Sequence, residues 1–200
     1  MKFDEIKVIM QTKTVGIAGC GGLGSNCAAA LARMGIGKLI IADFDRVDQS
    51  NLNRQYYFKD QLGQFKVDAL SENLKRIDPQ LTIEAHNVKL DTDEIMRIFE
   101  ECDVIIEAFD LAETKRMMIE TCGEAFPETP LIVGNGMAGW GRSNSIKMER
   151  MDKNLYVCGD GISGIDEELP PLAPRVGMVA MMQANVALSI LLNDKKNAQG

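Results

Sequence analysis

The sequence predicts an α/β protein: a mostly parallel, doubly wound sheet with flanking helices, folded as one domain over residues 1–200. Three observations lead there. Short apolar, strand-like runs alternate with helical stretches along most of the chain, the order of elements that builds parallel sheets. A glycine-rich turn, Gly19-Cys20-Gly21-Gly22-Leu23-Gly24, stands between the first strand-like run and the first apolar helix. The next strand-like run ends in an acidic side chain, Asp43, nineteen residues after Gly24.

Segment 13–18, Lys-Thr-Val-Gly-Ile-Ala, has the β-branched and small residues of a buried strand. After Gly24, Ala28, Leu31 and Met34 recur at helical spacing. The glycines therefore join a strand to a helix, which is the context a Gly-x-Gly-x-x-Gly motif needs. Gly19 permits a tight turn, Gly21 lets a phosphate approach the backbone, and Gly24 lets the helix pack on the strand. The free N–H groups at the helix start then face an anion. This is a Rossmann-like arrangement, and Gly19, Gly21, Gly22 and Gly24 are its candidate nucleotide-binding residues. Segment 38–43 reads as the second parallel strand, with Asp43 spaced to accept hydrogen bonds from ribose hydroxyls. Up to this point an NAD-binding domain explains the residues equally well.

The residues beyond Asp43 separate the two readings. Asp43-Phe44-Asp45 leads into Ser50-Asn51-Leu52-Asn53-Arg54-Gln55 and then Lys66. Hydride transfer has no evident use for an arginine and a lysine here. Nucleotidyl transfer does, because charge builds on the α-phosphate and the leaving pyrophosphate and fixed cations stabilise it. Taken on spacing alone, Arg54 and Lys66 also fit solvated surface charges.

The remaining elements continue the alternation: a helix over 66–76, a strand over 81–85, a helix over 91–101, and an apolar strand over 103–110. Asp110 ends that strand, where ligands bind in open α/β sheets. One aspartate is enough for Mg²⁺, which keeps phosphate oxygens and water as its other ligands. Asp110 also fits an N-cap for the helix over 112–125. A strand at 130–133 precedes the glycine-rich 134–142, either a mobile wall or a wide turn, and then a strand over 145–149. Segment 152–174, rich in Gly, Asp, Glu and Pro, reads as a flexible loop whose run Asp166-Glu167-Glu168 is solvated. Residues 176–192, with Met178, Met181 and Met182, read as a core or dimer helix, with a Met-rich groove for a partner the less favoured alternative, and the polar tail after Asn193 frays.

Composition sets the outer limits. A net charge of −7 argues against non-specific nucleic-acid binding, which depends on Lys and Arg neutralising phosphates. No 18-residue apolar run and no signal-peptide pattern is present, so no membrane association and a cytoplasmic location are expected. Five cysteines, Cys20, Cys27, Cys102, Cys122 and Cys158, form no Cys-x-x-Cys pair, and His86 is the single histidine. No zinc site is readable from them. Cys20, Cys27, Cys102 and Cys122 read as small buried hydrophobes. Cys158, in a turn-rich stretch, is either a relic of a metal region or a reactive thiol.

The glycine turn, then Asp-Phe-Asp-Arg-Val-Asp-Gln-Ser-Asn-Leu-Asn-Arg-Gln, then Gly63-Gln64-Phe65-Lys66-Val67, Ile77-Asp78-Pro79, Asp110 and Pro174-Arg175-Val176-Gly177, closely resemble the ThiF/HesA/MoeB family. These are relatives of the adenylation domain of ubiquitin-activating enzymes, and the length looks most like short ThiF-type proteins of thiamine biosynthesis. The resemblance implies an ATP- and Mg²⁺-dependent adenylyltransferase. Its partner would be a ubiquitin-like, ThiS-like sulfur carrier with a Gly-Gly C-terminus, whose terminal carboxylate attacks ATP. It further implies that Asp43, with Asp45 beside it, serves the ribose end. Asn51 and Arg54 would contact phosphates, Lys66 would neutralise them, and Asp110 would hold Mg²⁺.

Three departures from the family pattern stand out. Leu111 follows Asp110 where relatives often have Asn. Zinc-binding Cys-x-x-Cys pairs are absent. No arginine precedes the first strand, so a homodimer is expected without an arginine exchanged at that end. A nucleotide-binding scaffold that has lost catalysis, and less favourably an NAD-dependent oxidoreductase, are the competing readings.

Overall fold

The computed structural model describes residues 1–164 and 168–192. The described residues form one seven-stranded sheet, in the order β3-β2-β1-β4-β5-β7-β6. The strands are β1 (Thr14–Ala18), β2 (Lys38–Ala42), β3 (Thr82–His86), β4 (Val104–Glu107), β5 (Leu131–Gly134), β6 (Lys147–Arg150) and β7 (Leu155–Gly159). All neighbours pair in parallel except the edge pair β6 and β7. The helices are α1 (Phe3–Met10), α2 (Gly22–Arg33), α3 (Lys66–Ile77), α4 (Thr92–Phe99), α5 (Ala112–Ala125) and α6 (Ala173–Leu191).

The central strands are apolar along their length because both of their faces are covered, as parallel sheets require. On one face α2, α3 and α6 pack with Val15, Ile17, Leu39, Ile41, Val104 and Ile106. On the other, α4 and α5 pack with Ile40, Ile105, Leu131 and Val133. Successive strand residues point to opposite faces, so one apolar run feeds both cores. The sheet is thus doubly wound, as the sequence predicts.

Register fixes where a ligand would lie. Ala18 is level with Ala42 and with Glu107, so the carboxyl ends of β2, β1 and β4 form one rim. The chain leaves β1 toward β2 on one side and returns on the other as β4. That reversal is the crevice where open α/β sheets bind ligands.

Two expectations change. Segment 152–174 is not a continuous loop: β7 lies inside the sheet between β5 and β6, with Cys158 paired to Gly134 and Met148. Its short core, Leu-Tyr-Val-Cys, is β-favouring, but the Gly, Asp and Pro around it mask the signal. The preceding strand begins later than 145, because residues Ser143–Ser145 form a 3₁₀ turn entered through Arg142 at φ 45°. Asp166 and Glu167 of the acidic run, and the tail from Asn193, lie outside the described residues. Among the described residues no helix is long and apolar enough to cross a membrane.

Candidate active site

The glycine turn is built as its sequence demands. Gly19 has φ +98°, a left-handed conformation that costs glycine little. A Cβ on Gly24 would lie 1.8 Å from the Gly19 carbonyl oxygen, so only glycine lets α2 start this close to β1. Nearest to a Cβ on Gly21, by contrast, would be Gln55 Nε2 at 3.7 Å, which leaves that side of the turn open. The first N–H groups of α2 have no partner within the helix, and such a helix start suits an anion.

Asp43, just beyond β2, ties the acidic strand end to the turn. Its Oδ2 accepts from Cys20 N–H at 2.6 Å and its Oδ1 from Asp45 N–H at 2.8 Å. A carboxylate has about four acceptor positions, so capacity for ribose hydroxyls remains. Tyr57, buried, donates its hydroxyl to the Cys20 carbonyl at 2.7 Å and braces the turn from behind.

Residues 48–55 pack against the start of α2. Asn26 donates to the Gly22 carbonyl at 2.7 Å and to the Arg54 carbonyl at 2.9 Å, while Tyr56 N–H donates to Ser25 Oγ. The Arg54 stem lies over Gly22, with Cγ 3.6 Å from where a Cβ would stand. Its guanidinium donates to the Ser50 carbonyl and Asn53 Oδ1. Partial burial pushes the Arg54 pKa down, and the negative charge of Asp110 opposes that shift. Asn51 shapes the turn: its carbonyl accepts from Arg54 and Gln55 N–H, and its Oδ1 accepts from Asp48 N–H.

Lys66 opens α3 and is buried, not a solvated surface charge. Its Nζ meets Asp45 Oδ2 at 2.7 Å, in a pair with a 7% exposed lysine side chain and a 50% exposed aspartate side chain. Lys66 and Asp43 both act electrostatically on the Cys20 thiol inside the turn. Burial chiefly drives that thiol's pKa up, Asp43 adds to the rise, and Lys66 offsets part of it.

Asp110 follows β4 and is exposed. It does not cap α5: the N-cap residue is Leu111, with no side-chain capping bond. The structure thus gathers Gly19, Gly21, Gly22, Gly24, Asp43, Asp45, Arg54, Lys66 and Asp110 around one crevice. Asn51 belongs to the adjoining turn, where its carbonyl accepts from the Arg54 N–H and its side chain from the Asp48 N–H.

One unsatisfied acceptor lies beside the glycine turn. Gln55 Oε1 is buried and lacks a hydrogen-bond partner, beside the open side of Gly21. Such an acceptor is costly unless a ligand or water supplies a donor. Among the described residues no three His, Cys, Asp or Glu side chains gather as a metal group. A lone Asp110 nonetheless suits Mg²⁺, which takes its other ligands from phosphate and water.

Sequence reasoning missed the ion pairs beneath this rim, although Arg175 stands in the Pro174-Arg175-Val176-Gly177 motif. Glu107, fully buried at the end of β4, pairs with Lys115 of α5 at 2.6 Å. Arg175 of α6 pairs with Asp160 at 2.6 Å, with both side chains 1–2% exposed, and also donates to the Gly141 and Arg142 carbonyls. The glycine-rich 134–142 is therefore a pinned turn at its far end. The available signal was a single charged residue within the otherwise uncharged α6.

Cys158 is buried, and burial pushes its thiol pKa up to about 12. A reactive role for it is therefore corrected, since reactivity needs an accessible thiolate. Cys20, Cys27, Cys102 and Cys122 are buried as expected.

Fold and site together define a doubly wound α/β protein, with cations set beside the glycine turn of a candidate nucleotide site. The chain belongs to the ThiF family, which it matches over residues 3–200. It is 31% identical to the molybdopterin-synthase adenylyltransferase of Haemophilus influenzae, over 99% of this chain and 82% of that protein. It is also 31% identical to the adenylyltransferase and sulfurtransferase MOCS3 of Caenorhabditis briggsae, over 90% of this chain but 46% of that longer protein. In structure it resembles Escherichia coli tRNA N6-threonylcarbamoyladenosine dehydratase, TcdA, solved with ATP. The TM-score is 0.87 at 19% identity, over 98% of this chain and 92% of that one, a likeness of fold.

Proposed function

We propose that the protein is an ATP-dependent adenylyltransferase that activates the C-terminal glycine carboxylate of a ubiquitin-like sulfur carrier. The observation that carries this reading is the convergence of Arg54, the Lys66–Asp45 pair, Asp43 and Asp110 on the glycine turn at the crevice between β1 and β4. In the proposed reaction a carboxylate oxygen of the carrier bonds to the α-phosphorus of ATP. The bond from that phosphorus to the bridging oxygen breaks, releasing pyrophosphate and leaving a carrier acyl-adenylate.

The nucleophile comes from the partner, so this chain's residues position and neutralise. The glycine turn and the α2 N–H groups cradle phosphate, and Asp43 accepts from the ribose. Arg54 and Lys66 place positive charge where negative charge grows, which is more valuable in the transition state than in the ground state. Mg²⁺, held by Asp110 and phosphate oxygens, would supply further charge neutralisation. Lys66 carries Asp45 as a half-exposed counter-ion, and on this reading the lysine turns part of its charge from Asp45 to the nucleotide.

Within the carrier class we propose a ThiS-like protein of thiamine biosynthesis with a Gly-Gly tail, and a homodimer as the working assembly. Relatives named for molybdopterin synthase set the competing pathway. The test incubates the protein and Mg·ATP with a ThiS-like carrier and, separately, with a molybdopterin-synthase carrier, and follows each carrier by mass spectrometry. An adenylate on the ThiS-like carrier alone supports the full proposal. An adenylate only on the other carrier keeps the chemistry and overturns the pathway, and none on any Gly-Gly carrier overturns the chemistry. Sedimentation of the free protein checks the dimer.

A further inference from the structure

We infer that the buried Glu107–Lys115 pair is the positioning element for Asp110, holding the backbone from which that carboxylate projects. For what Asp110 does, the inference rests on the adenylation reading; its geometric part stands alone.

Three observations carry it. First, the pair closes on the peptide groups next to Asp110. Glu107 Oε1 accepts from Phe109 N–H at 2.7 Å, and Lys115 Nζ lies 3.4 Å from the Phe109 carbonyl oxygen. Both polar groups of the residue before Asp110 are therefore engaged by one ion pair. Second, the same ammonium reaches Glu107 Oε1 at 2.7 Å, Oε2 at 2.6 Å, and the Gly134 carbonyl at 2.7 Å. It thereby clamps the carboxyl ends of β4 and β5 together. Third, the carboxylate that this frame presents is exposed and makes no hydrogen bond or close ion pair among the described residues, Arg54 acting on it only through charge. Upstream, Ala108 N–H donates to the Ala18 carbonyl at 2.9 Å, and Gln183 Nε2 donates to the Glu107 carbonyl at 2.9 Å.

A buried ion pair is a poor device for stability alone, because a neutral pair of similar volume often does as well. It is a good device for orientation, since two charges with several hydrogen bonds admit few geometries. An unpartnered carboxylate meant for a cation gains most from such a frame, because a pre-set ligand spends less free energy on ordering when the cation arrives.

The test compares the parent with Lys115→Met, Lys115→Arg, and the double variant Glu107→Gln/Lys115→Met. The double variant removes both charges while keeping the buried volume, and it covers the case in which the single methionine variant, with Glu107 left unpaired, fails to fold. Two readouts are taken on folded proteins: hydrogen exchange at the Phe109 and Asp110 amides without ligand, and the Mg²⁺ concentration giving half-maximal ATP binding.

Expected for the double variant are at least about tenfold faster exchange at those amides and a severalfold higher Mg²⁺ requirement. Affinity for ATP without Mg²⁺ should stay within about twofold, and Lys115→Arg should restore much of both effects. A folded double variant with parental exchange and parental Mg²⁺ dependence overturns the inference. If the parent binds no ATP, the adenylation reading fails, and the exchange measurement alone then decides the positioning role.

Discussion

The two halves of the sheet carry their charges differently. Around β1 and β2 the cations sit at a rim: Lys66 is paired to an aspartate side chain that is half exposed, and Arg54 is only partly buried. Around β4, β5 and β7 the carboxylates are sealed beneath it: Glu107 is fully buried against Lys115, whose own side chain is 18% exposed, and Arg175 and Asp160 are closed off together. Open pairs can exchange a partner for a ligand, whereas sealed pairs can only hold backbone. The contrast teaches that burial of the counter-ion, more than charge itself, separates cations left available to a ligand from those that hold the loops around the crevice.

Breaking a sealed pair should have the largest effect on stability. Arg175→Met leaves the Asp160 carboxylate buried and unpaired and is expected to cost about 3–5 kcal/mol, read by urea unfolding at neutral pH. Burial alone would raise the Asp160 pKa, but N–H bonds from Ser163 and Ile162, the Ser163 hydroxyl and Arg175 outweigh it and hold the carboxyl low. With the folded pKa depressed, this stabilisation is present above the ordinary carboxylate range near pH 4 and is lost as pH falls through the folded value. The gap between variant and parent should therefore shrink in acid. A gap that does not change with pH would show that the pair's charge is not the source.

At the rim, Asp110→Ala should abolish adenylation with the fold near intact, because the side chain is exposed and makes no hydrogen bond among the described residues. Unchanged turnover would remove its metal role. Next in size, Arg54→Ala should lower kcat about 10²- to 10³-fold and weaken ATP binding much less, the mark of a group used in the transition state. Equal losses in binding and rate would recast Arg54 as a ground-state ligand. Smallest of all, Cys158→Ala should leave the rate within about twofold, and native Cys158 should resist thiol reagents, as its burial requires.

This contrast also explains how much the sequence disclosed. The rim was legible because its residues lie in one stretch, from Gly19 to Lys66, where a strand, a turn and a helix must come in fixed order. Asp110 was legible because an apolar strand leads to it, although β4 ends at Glu107, three residues short of the expected end at Asp110. The sealed pairs were not, since each joins side chains from different elements and nothing local marks Lys115 as the partner of Glu107. β7 escaped because four β-favouring residues sit among turn-formers, and Cys158 was misplaced with it. α1, short and amphipathic, left no reading at all, although Met10 is fully buried.

The most direct test of the central claim is ATP–pyrophosphate exchange in the presence of Mg²⁺, with and without a carrier ending in Gly-Gly. The account predicts exchange that depends on the carrier and disappears in Asp110→Ala. Measurable ATP binding with no exchange for any of several such carriers would contradict it, and would assign the rim to a nucleotide-binding scaffold instead.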